Sequence, residues 1–450
     1  MDLDKGKRID SLHELHSVLR KGGRPREQWG IGLESEKLVL DAVTGEAAGY
    51  TRIRQMLARL EGVAGWQGIY DADALIGLQG KRSSITLEPG GQLELSGRLC
   101  CDMHCNRRDL KRYVEQISPL AAELDLCLIG FGVQPFTPLS QIDWLPKKRY
   151  AIMGPYMLKT GDMGQRMMKQ TAGTQVNLDY LDTADCVRKL RILQWLTPVF
   201  YALFANSPLL DGAPAGVLSI RGEIWSRTDA DRCGLIPALL EKNATLDDYV
   251  DYALAAPLYF LQRGPRLIDM TDQRVTFRQF VEQGAKGELA CLKDWELHLS
   301  TLFPEVRLRP QLELRTPDSL PPALALSVAA LVKGLFYDEE ALSHCERQLD
   351  GLSLSQRLEL YRSSWALGLN APFPGGRLLD VTRVLVATAR EGLLRQYQQG
   401  FNTDDESPFL DPLEPVLAQG QTLAQQVLDG WHGSRAEKLA HLNQVCRYAF

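Results

Sequence analysis

No run in this sequence stays apolar for the roughly 20 residues that a bilayer-crossing helix needs. The longest candidate, Pro321 to Val332, stops at Lys333 and reads as a buried helix. Near the start stand Asp2, Asp4, Lys5 and Lys7 in place of the apolar segment of a secretory signal, so a cytoplasmic location is expected. An excess of either charge is also missing. Over 450 positions 51 basic residues face 56 acidic ones, and a net charge of -5 gives no electrostatic case for nucleic acid or an anionic membrane as a partner. The nine cysteines include no CxxC pair, and a chain of this size needs no disulfide framework. One dense patch, Cys100, Cys101, His104 and Cys105, reads as free thiols at a helix start, with a soft-metal site as the alternative. The familiar nucleotide and hydrolase signatures are absent too. There is no GxxxxGK followed by Ser or Thr, no GxGxxG opening a helix after a strand, no HExxH and no GxSxG. Any nucleotide must be held in another way.

What is present is ordinary globular patterning, 45% hydrophobic and 24% charged, without repeats or low-complexity linkers. Helices are expected over Asp10 to Arg20, Tyr50 to Leu60, Cys105 to Leu126, Asp185 to Phe204 and Tyr249 to Phe260. Strands are expected over Trp29 to Leu40, Leu126 to Val133, Thr171 to Tyr180 and Arg307 to Arg315. Ser83 to Ser96 reads as two short strands around the turn Glu88-Pro89-Gly90-Gly91. From Ala323 the pattern is helical almost to the end. The expected architecture is α+β: a catalytic body over 1–320 and a helical C-terminal region over 321–450 packed on it.

The chemistry is carried by the polar faces of the strands. Side chains alternate across a strand, so residues two apart share a face. Glu34 pairs with Glu36 in this way, Thr86 with Glu88, Gln92 with Glu94 and Ser96, Gln175 with Asn177, and Gln311 with Glu313 and Arg315. The ordinary reading of such a face is solvent. Two features count against it. Glu is depleted in strands yet holds five of these positions, and lysine is nearly missing beside them. Clustered carboxylates repel one another and shift their pKa values. Divalent cations relieve that cost, and an all-oxygen set suits magnesium or manganese, which in turn hold nucleotide phosphates. Lys147, Lys148, Arg149 and Arg221 offer the complementary charge.

At these residues the sequence resembles the plant and proteobacterial type of glutamate–cysteine ligase. The matching stretches include Gly32-Leu33-Glu34-Ser35-Glu36-Lys37, Thr86-Leu87-Glu88-Pro89-Gly90-Gly91-Gln92-Leu93-Glu94 and Lys148-Arg149-Tyr150. They continue through Thr174-Gln175-Val176-Asn177-Leu178-Asp179, Phe204-Ala205-Asn206-Ser207-Pro208 and Phe303-Pro304-Glu305-Val306-Arg307. The resemblance implies a curved antiparallel sheet forming an active-site cleft, related to glutamine synthetase and covered by helices. It implies ATP as cosubstrate, glutamate and cysteine as substrates, and a γ-glutamyl phosphate, as in the first step of glutathione biosynthesis. It further implies that Glu34, Glu36, Glu88, Glu94 and Glu313 ligate Mg2+ (or Mn2+), with Glu88, Glu313 and Arg315 catalytic. Arg149, Arg221, Thr174, Tyr259 and Trp225 would bind substrate, and Gln175, Asn177 and Arg315 the nucleotide. A monomer or a homodimer is expected.

Three stretches depart from the family pattern: Thr316-Pro317-Asp318, Gly222-Glu223-Ile224-Trp225 and Lys169 to Gly173. They keep a γ-glutamyl ligase using another amine open. A guanidino phosphotransferase of related fold and an inactive binding protein are the remaining alternatives.

Overall fold

The computed structural model describes residue 6 and residues 8–450, so Asp2, Asp4, Lys5 and Lys7 lie outside the described residues. One antiparallel sheet of nine strands organises the molecule. Its members are β1 (Ile31–Asp41), β2 (Gln67–Asp71), β3 (Ala74–Gln79), β4 (Ser83–Leu87), β5 (Leu93–Gly97), β6 (Leu126–Ile129), β7 (Thr174–Leu178), β8 (Val306–Arg309) and β9 (Gln311–Leu314). The spatial order is β8-β9-β7-β1-β5-β4-β3-β2, and β6 pairs with the second half of β1.

Register sorts the side chains into two faces. On one, Leu33 lies across from Val176, and Val176 across from Leu314, while Ile85 pairs with Leu95 and Leu87 with Leu93. All of these are buried, each contributing roughly 1.5–3 kcal/mol by leaving water. Helices Met103–Ala122, Thr183–Leu203 and Pro322–Phe336 cover this face. Lys37 also points into it, its ammonium 4.2 Å from the ring centre of Tyr113 and 4.6 Å from that of Tyr448. The hydroxyl of Ser35 meets that of Tyr448 at 2.7 Å. The C-terminal end thus closes the underside of β1, directly beneath the carboxylates on the opposite face.

The Glu88–Gln92 turn forms as its residues dictate. Glu88 N–H donates to the Gln92 carbonyl and Gly91 N–H to the Glu88 carbonyl, each at 2.9 Å. Gly91 has φ +86°, which a side chain would disfavour. The Arg307 to Arg315 segment is a correction: it is a hairpin of β8 and β9. Pro310 has no N–H to continue a ladder and stands at the turn. The helix expected over Tyr249 to Phe260 spans Leu246–Ala255; Ala256, before Pro257, is already extended (ψ 135°). Phe260 instead opens a small hairpin, Phe260–Arg263 with Arg266–Asp269.

The thiol patch is corrected as well. The sulfurs of Cys100 and Cys105 are joined as a disulfide, which leaves no thiolate pair for a soft metal, while Cys101 is free and exposed. His104 lies against the ring of Phe409 at 5.1 Å. Lys333, which ends the apolar stretch of Pro322–Phe336, is buried against Glu406 at 2.7 Å. Among the described residues no helix is long and apolar enough to cross a membrane.

Candidate active site

The second face of the sheet carries the polar residues in cross-strand rows. Glu36 lies opposite Glu94, and Glu94 opposite Thr86. One row on, Glu34 sits between Gln175 and Ser96. The third row runs Arg307, Glu313, Asn177. Period-2 alternation in the strands, combined with this register, brings together groups hundreds of residues apart. They floor a cleft of about 790 Å3 that Glu34, Glu36, Glu88, Glu94, Gln175 and Arg315 all line. A recess of about 110 Å3 continues past Glu36 and Glu88 to Arg149, Trp225 and Met168.

Amide and hydroxyl donors aim the carboxylates. Asn177 donates to Glu34 at 2.8 Å and Gln175 to Glu36 at 3.1 Å. Ser96 donates to Glu94 at 2.6 Å and Thr86 at 3.3 Å. The donors do not offset what burial costs. Burial and then the charges of Glu94 and Glu88 push Glu36 up to about 8. Burial and then Glu34 and Glu88 do the same to Glu94, also to about 8. Glu34 is raised by burial and by Glu313, against the Asn177 hydrogen bond. Glu34, Glu36 and Glu94 thus resist ionisation where they stand, and as an all-oxygen set they fit a hard divalent cation. The carboxylates are nevertheless spread. Among the described residues only Cys100, Cys105 and Asp109 bring three such ligand atoms within 4.8 Å of one another, and there the two sulfurs are bonded.

Glu313 differs from the other four. Burial would raise its pKa, but Arg307 and Arg315 hold it well below the usual carboxylate range. Arg307 grips both oxygens, and Arg315 Nη1 reaches Oε2 at 3.3 Å. Arg315 Nη1 also donates to Gln175 Oε1.

Arg221 enters from the short helix Ile220–Ser226. Ser219 caps that helix, accepting from Gly222 N–H at 3.4 Å and donating to the buried Asp318 at 3.0 Å. The guanidinium donates to the carbonyls of Thr316 (2.8 Å) and Arg315 (3.0 Å). Gly173 fits between Glu36 and Arg221. Its N–H donates to Glu36 at 2.5 Å, and a Cβ there would stand 2.5 Å from Arg221 Nη2.

Three expected substrate residues line neither the cleft nor its recess: Arg221 borders a small void shared with Trp225 and Arg315, and the other two stand farther off. Thr174 shares the underside of β7 with Val176 and Leu178, and its buried hydroxyl has no partner. Strand alternation, which places Gln175 in the cleft, puts Thr174 behind it. Tyr259 is buried against Arg232, 3.7 Å from guanidinium carbon to ring centre, with Asp229 beyond. Sequence reasoning missed Arg307 and Arg309, which line the cleft because Pro310 turns the chain. It also missed Phe260, Gln262 and Leu267 of the small hairpin, which form the opposite wall. The proline and the -Arg-Gly-Pro-Arg- turn at 263–266 were the available signals.

A family model, glutamate-cysteine ligase family 2, matches residues 30–444. The chain belongs to this family. It is 36% identical over 432 residues to the chloroplastic glutamate–cysteine ligase of Medicago truncatula, covering 95% of this chain and 84% of that protein. To chloroplastic glutamate–cysteine ligase B of Oryza sativa subsp. japonica it is 37% identical over 419 residues, 92% and 83% of the two chains. To the chloroplastic enzyme of Arabidopsis thaliana it is 36% identical over 423 residues, 93% and 80% of the two. These names overturn the expected cytoplasmic location, since each relative is chloroplastic. Organelle transit segments are amphipathic and rich in Arg and Ser, so a search for an apolar run does not detect them.

Among solved structures the fold is similar to a bifunctional glutathione synthetase from Pasteurella multocida (TM-score 0.51, 13% identity), covering 96% of this chain and 54% of that one. The chain thus spans about half the length of that protein. A glutamate–cysteine ligase from Francisella tularensis, solved in complex with AMP, is similar with a TM-score of 0.50 at 11% identity over 93% of this chain and 88% of its own. At these identities the likeness is one of fold, and it agrees with the α+β expectation.

Proposed function

We propose that this cleft performs the reaction for which the family is named, joining the γ-carboxylate of glutamate to the amino group of cysteine at the expense of ATP, the first step of glutathione biosynthesis. The observation that carries the reading is the meeting in one cleft of Glu34, Glu36, Glu88 and Glu94 with Arg149 and Arg315. The four carboxylates are assigned to a divalent cation, magnesium by preference and manganese as a substitute. When bound, the ion supplies positive charge to the nucleotide phosphates. Glu313, with both oxygens held by Arg307, is assigned to fixing Arg315 rather than to ligating the ion.

Arg149 and Arg221 receive the glutamate carboxylate by charge-assisted hydrogen bonds, with Trp225 walling the recess. Gln175 and Asn177 orient Glu36, Arg315 and Glu34 and so act on the nucleotide through them. A carboxylate resists an amine because oxide is a poor leaving group. A γ-carboxylate oxygen therefore attacks the γ-phosphorus, the bond to ADP breaks, and an acyl phosphate forms. Arg315 stabilises the charge that develops. The cysteine nitrogen then attacks the acyl carbon, phosphate departs with the bonding pair, and the amine loses a proton. The apolar wall of Phe260, Leu267 and Phe303 limits water, which would otherwise hydrolyse the acyl phosphate. We read residues 1–320 as the catalytic body and 321–450 as the helical region packed on it.

Mass spectrometry of products from ATP, glutamate and a mixture of amino acids tests this. One γ-glutamylcysteine and one phosphate per ADP are expected. Phosphate retained on an organic product would point to a phosphotransferase, and a different dominant amide to another amine.

A further inference from the structure

Behind Arg221 lies a carboxylate that the reaction does not use directly. Glu305 is buried, and among the described residues its carboxylate accepts only from hydroxyls. Tyr201 donates to Oε1 at 3.0 Å and to Oε2 at 3.2 Å, Tyr361 to Oε1 at 2.5 Å, and Thr316 to Oε2 at 3.2 Å. Its carbonyl accepts from the N–H of Arg315 at 3.1 Å. Thr316 is shared: its hydroxyl reaches Glu305 while its carbonyl accepts from Arg221. Glu305, Arg221 and Arg315 also border a common void of about 10 Å3, close to the volume one water needs. The buried Nε of Arg221 and Nε1 of Trp225, both on residues bordering that void, have no partner in the protein.

Burying a carboxylate costs several kcal/mol, and an apolar side chain would fill the same space more cheaply. The arrangement of the charges supplies a reason for keeping it. Among the described residues no carboxylate forms an ion pair with Arg221, although Glu305 and Asp318 both feel its charge. A direct pair would occupy the guanidinium and compete with a bound carboxylate. A counter-charge one residue removed orients the guanidinium without pairing with it. Tyr361 comes from helix Leu354–Leu367 of the C-terminal region, so this device reaches the cleft from outside the sheet.

We propose that Glu305 is a positioning residue for Arg221, acting through Thr316 and held by Tyr201 and Tyr361, so that the C-terminal helices help to set glutamate recognition. This rests on the reading that Arg221 receives the glutamate carboxylate.

Steady-state kinetics of the full chain test it, with glutamate and ATP varied separately and melting followed in parallel. Glu305→Gln is expected to raise the glutamate KM at least tenfold and to leave the ATP KM within twofold. Tyr361→Phe is expected to move the glutamate KM about threefold in the same direction. Thr316→Ser, which keeps the hydroxyl, should stay within twofold of the parent. Arg221→Lys is the control for the underlying reading. A raised glutamate KM in Arg221→Lys, with Glu305→Gln and Tyr361→Phe both within twofold, overturns the positioning role and leaves the site reading standing. An unchanged glutamate KM in Arg221→Lys overturns the site reading itself. Should Glu305→Gln fail to fold, Tyr361→Phe decides alone. A lowered Tm with unchanged KM values, or equal rises in both KM values, marks a structural role only and overturns the proposal.

Discussion

Arg307 and Glu313 meet fork to fork across the β8–β9 turn, Nε to Oε2 at 2.5 Å and Nη2 to Oε1 at 2.9 Å, with both side chains buried. Two parallel charge-assisted hydrogen bonds fix a carboxylate far more tightly than a cation can share it. The pair also explains why Glu313 stays ionised while Glu36 and Glu94 do not ionise easily. Removing one partner exposes the cost. Arg307→Met is expected to destabilise the fold by about 3–5 kcal/mol, because the buried Glu313 loses both short charge-assisted hydrogen bonds and keeps only Arg315 at 3.3 Å, and adding Glu313→Leu should recover most of it. Urea unfolding of the single and double variants checks this; a single variant within about 1 kcal/mol of the parent would contradict the pairing.

Glu88 makes no side-chain hydrogen bond or ion pair among the described residues and is half-buried at the cleft. Its loss should therefore leave stability within about 0.5 kcal/mol. Turnover should fall at least about 100-fold, the equivalent of ~2.7 kcal/mol, if Glu88 holds the cation. Single-turnover ADP release at saturating ATP is the measurement, and near-parental turnover in folded Glu88→Ala would remove this residue from the site.

Thr174 separates the family expectation from the geometry. Its hydroxyl is buried without a partner behind the sheet, and an unsatisfied buried hydroxyl costs roughly 1–3 kcal/mol. Thr174→Val should leave the glutamate KM within twofold and keep or raise the melting temperature. A several-fold rise in that KM would mean that the residue touches substrate after all.

The strand faces were legible because a period of two is a local property. Glu34 with Glu36 and Gln175 with Asn177 needed no knowledge of partners, and the cleft floor followed. Register was not legible, since which row faces which depends on pairing across 140 residues, as Glu34 with Gln175 shows. Pro310 was read through as part of one strand, and with it went Arg307 facing Glu313. β2 and β3 escaped notice because Gly68, Asp71 and Gly77 dilute the β-branched signal that marks a strand. The Glu305 network was invisible for another reason: its members, Tyr201, Thr316 and Tyr361, are spread over 160 residues and carry no spacing of their own.

His298 gives the fold a pH dependence that is independent of the cleft. The ring is buried, stacked on Phe277 at 4.8 Å, and Nε2 meets the Ala253 carbonyl at 2.8 Å while Nδ1 has no partner. Burial lowers its pKa to about 3, with the nearby charge of Arg232 adding to the shift and the Ala253 hydrogen bond opposing it. An unfolded histidine titrates near 6.5. Between these two values the unfolded chain binds a proton that the folded one refuses, so stability rises with pH there. The contribution is fully present above pH 6.5 and is lost progressively as pH falls toward 3. At 1.36 kcal/mol per unit, about 2 kcal/mol of it is gone by pH 5. Carboxylates that titrate in the same range act equally on a variant and its parent, so a difference isolates the histidine. His298→Gln keeps a donor for the Ala253 carbonyl and cannot titrate. Urea unfolding at pH 7.5 and pH 5.0 should show the parent losing about 2 kcal/mol more than this variant across the interval. A difference below roughly 0.5 kcal/mol would mean that His298 reaches solvent when protonated and is not held neutral in the core.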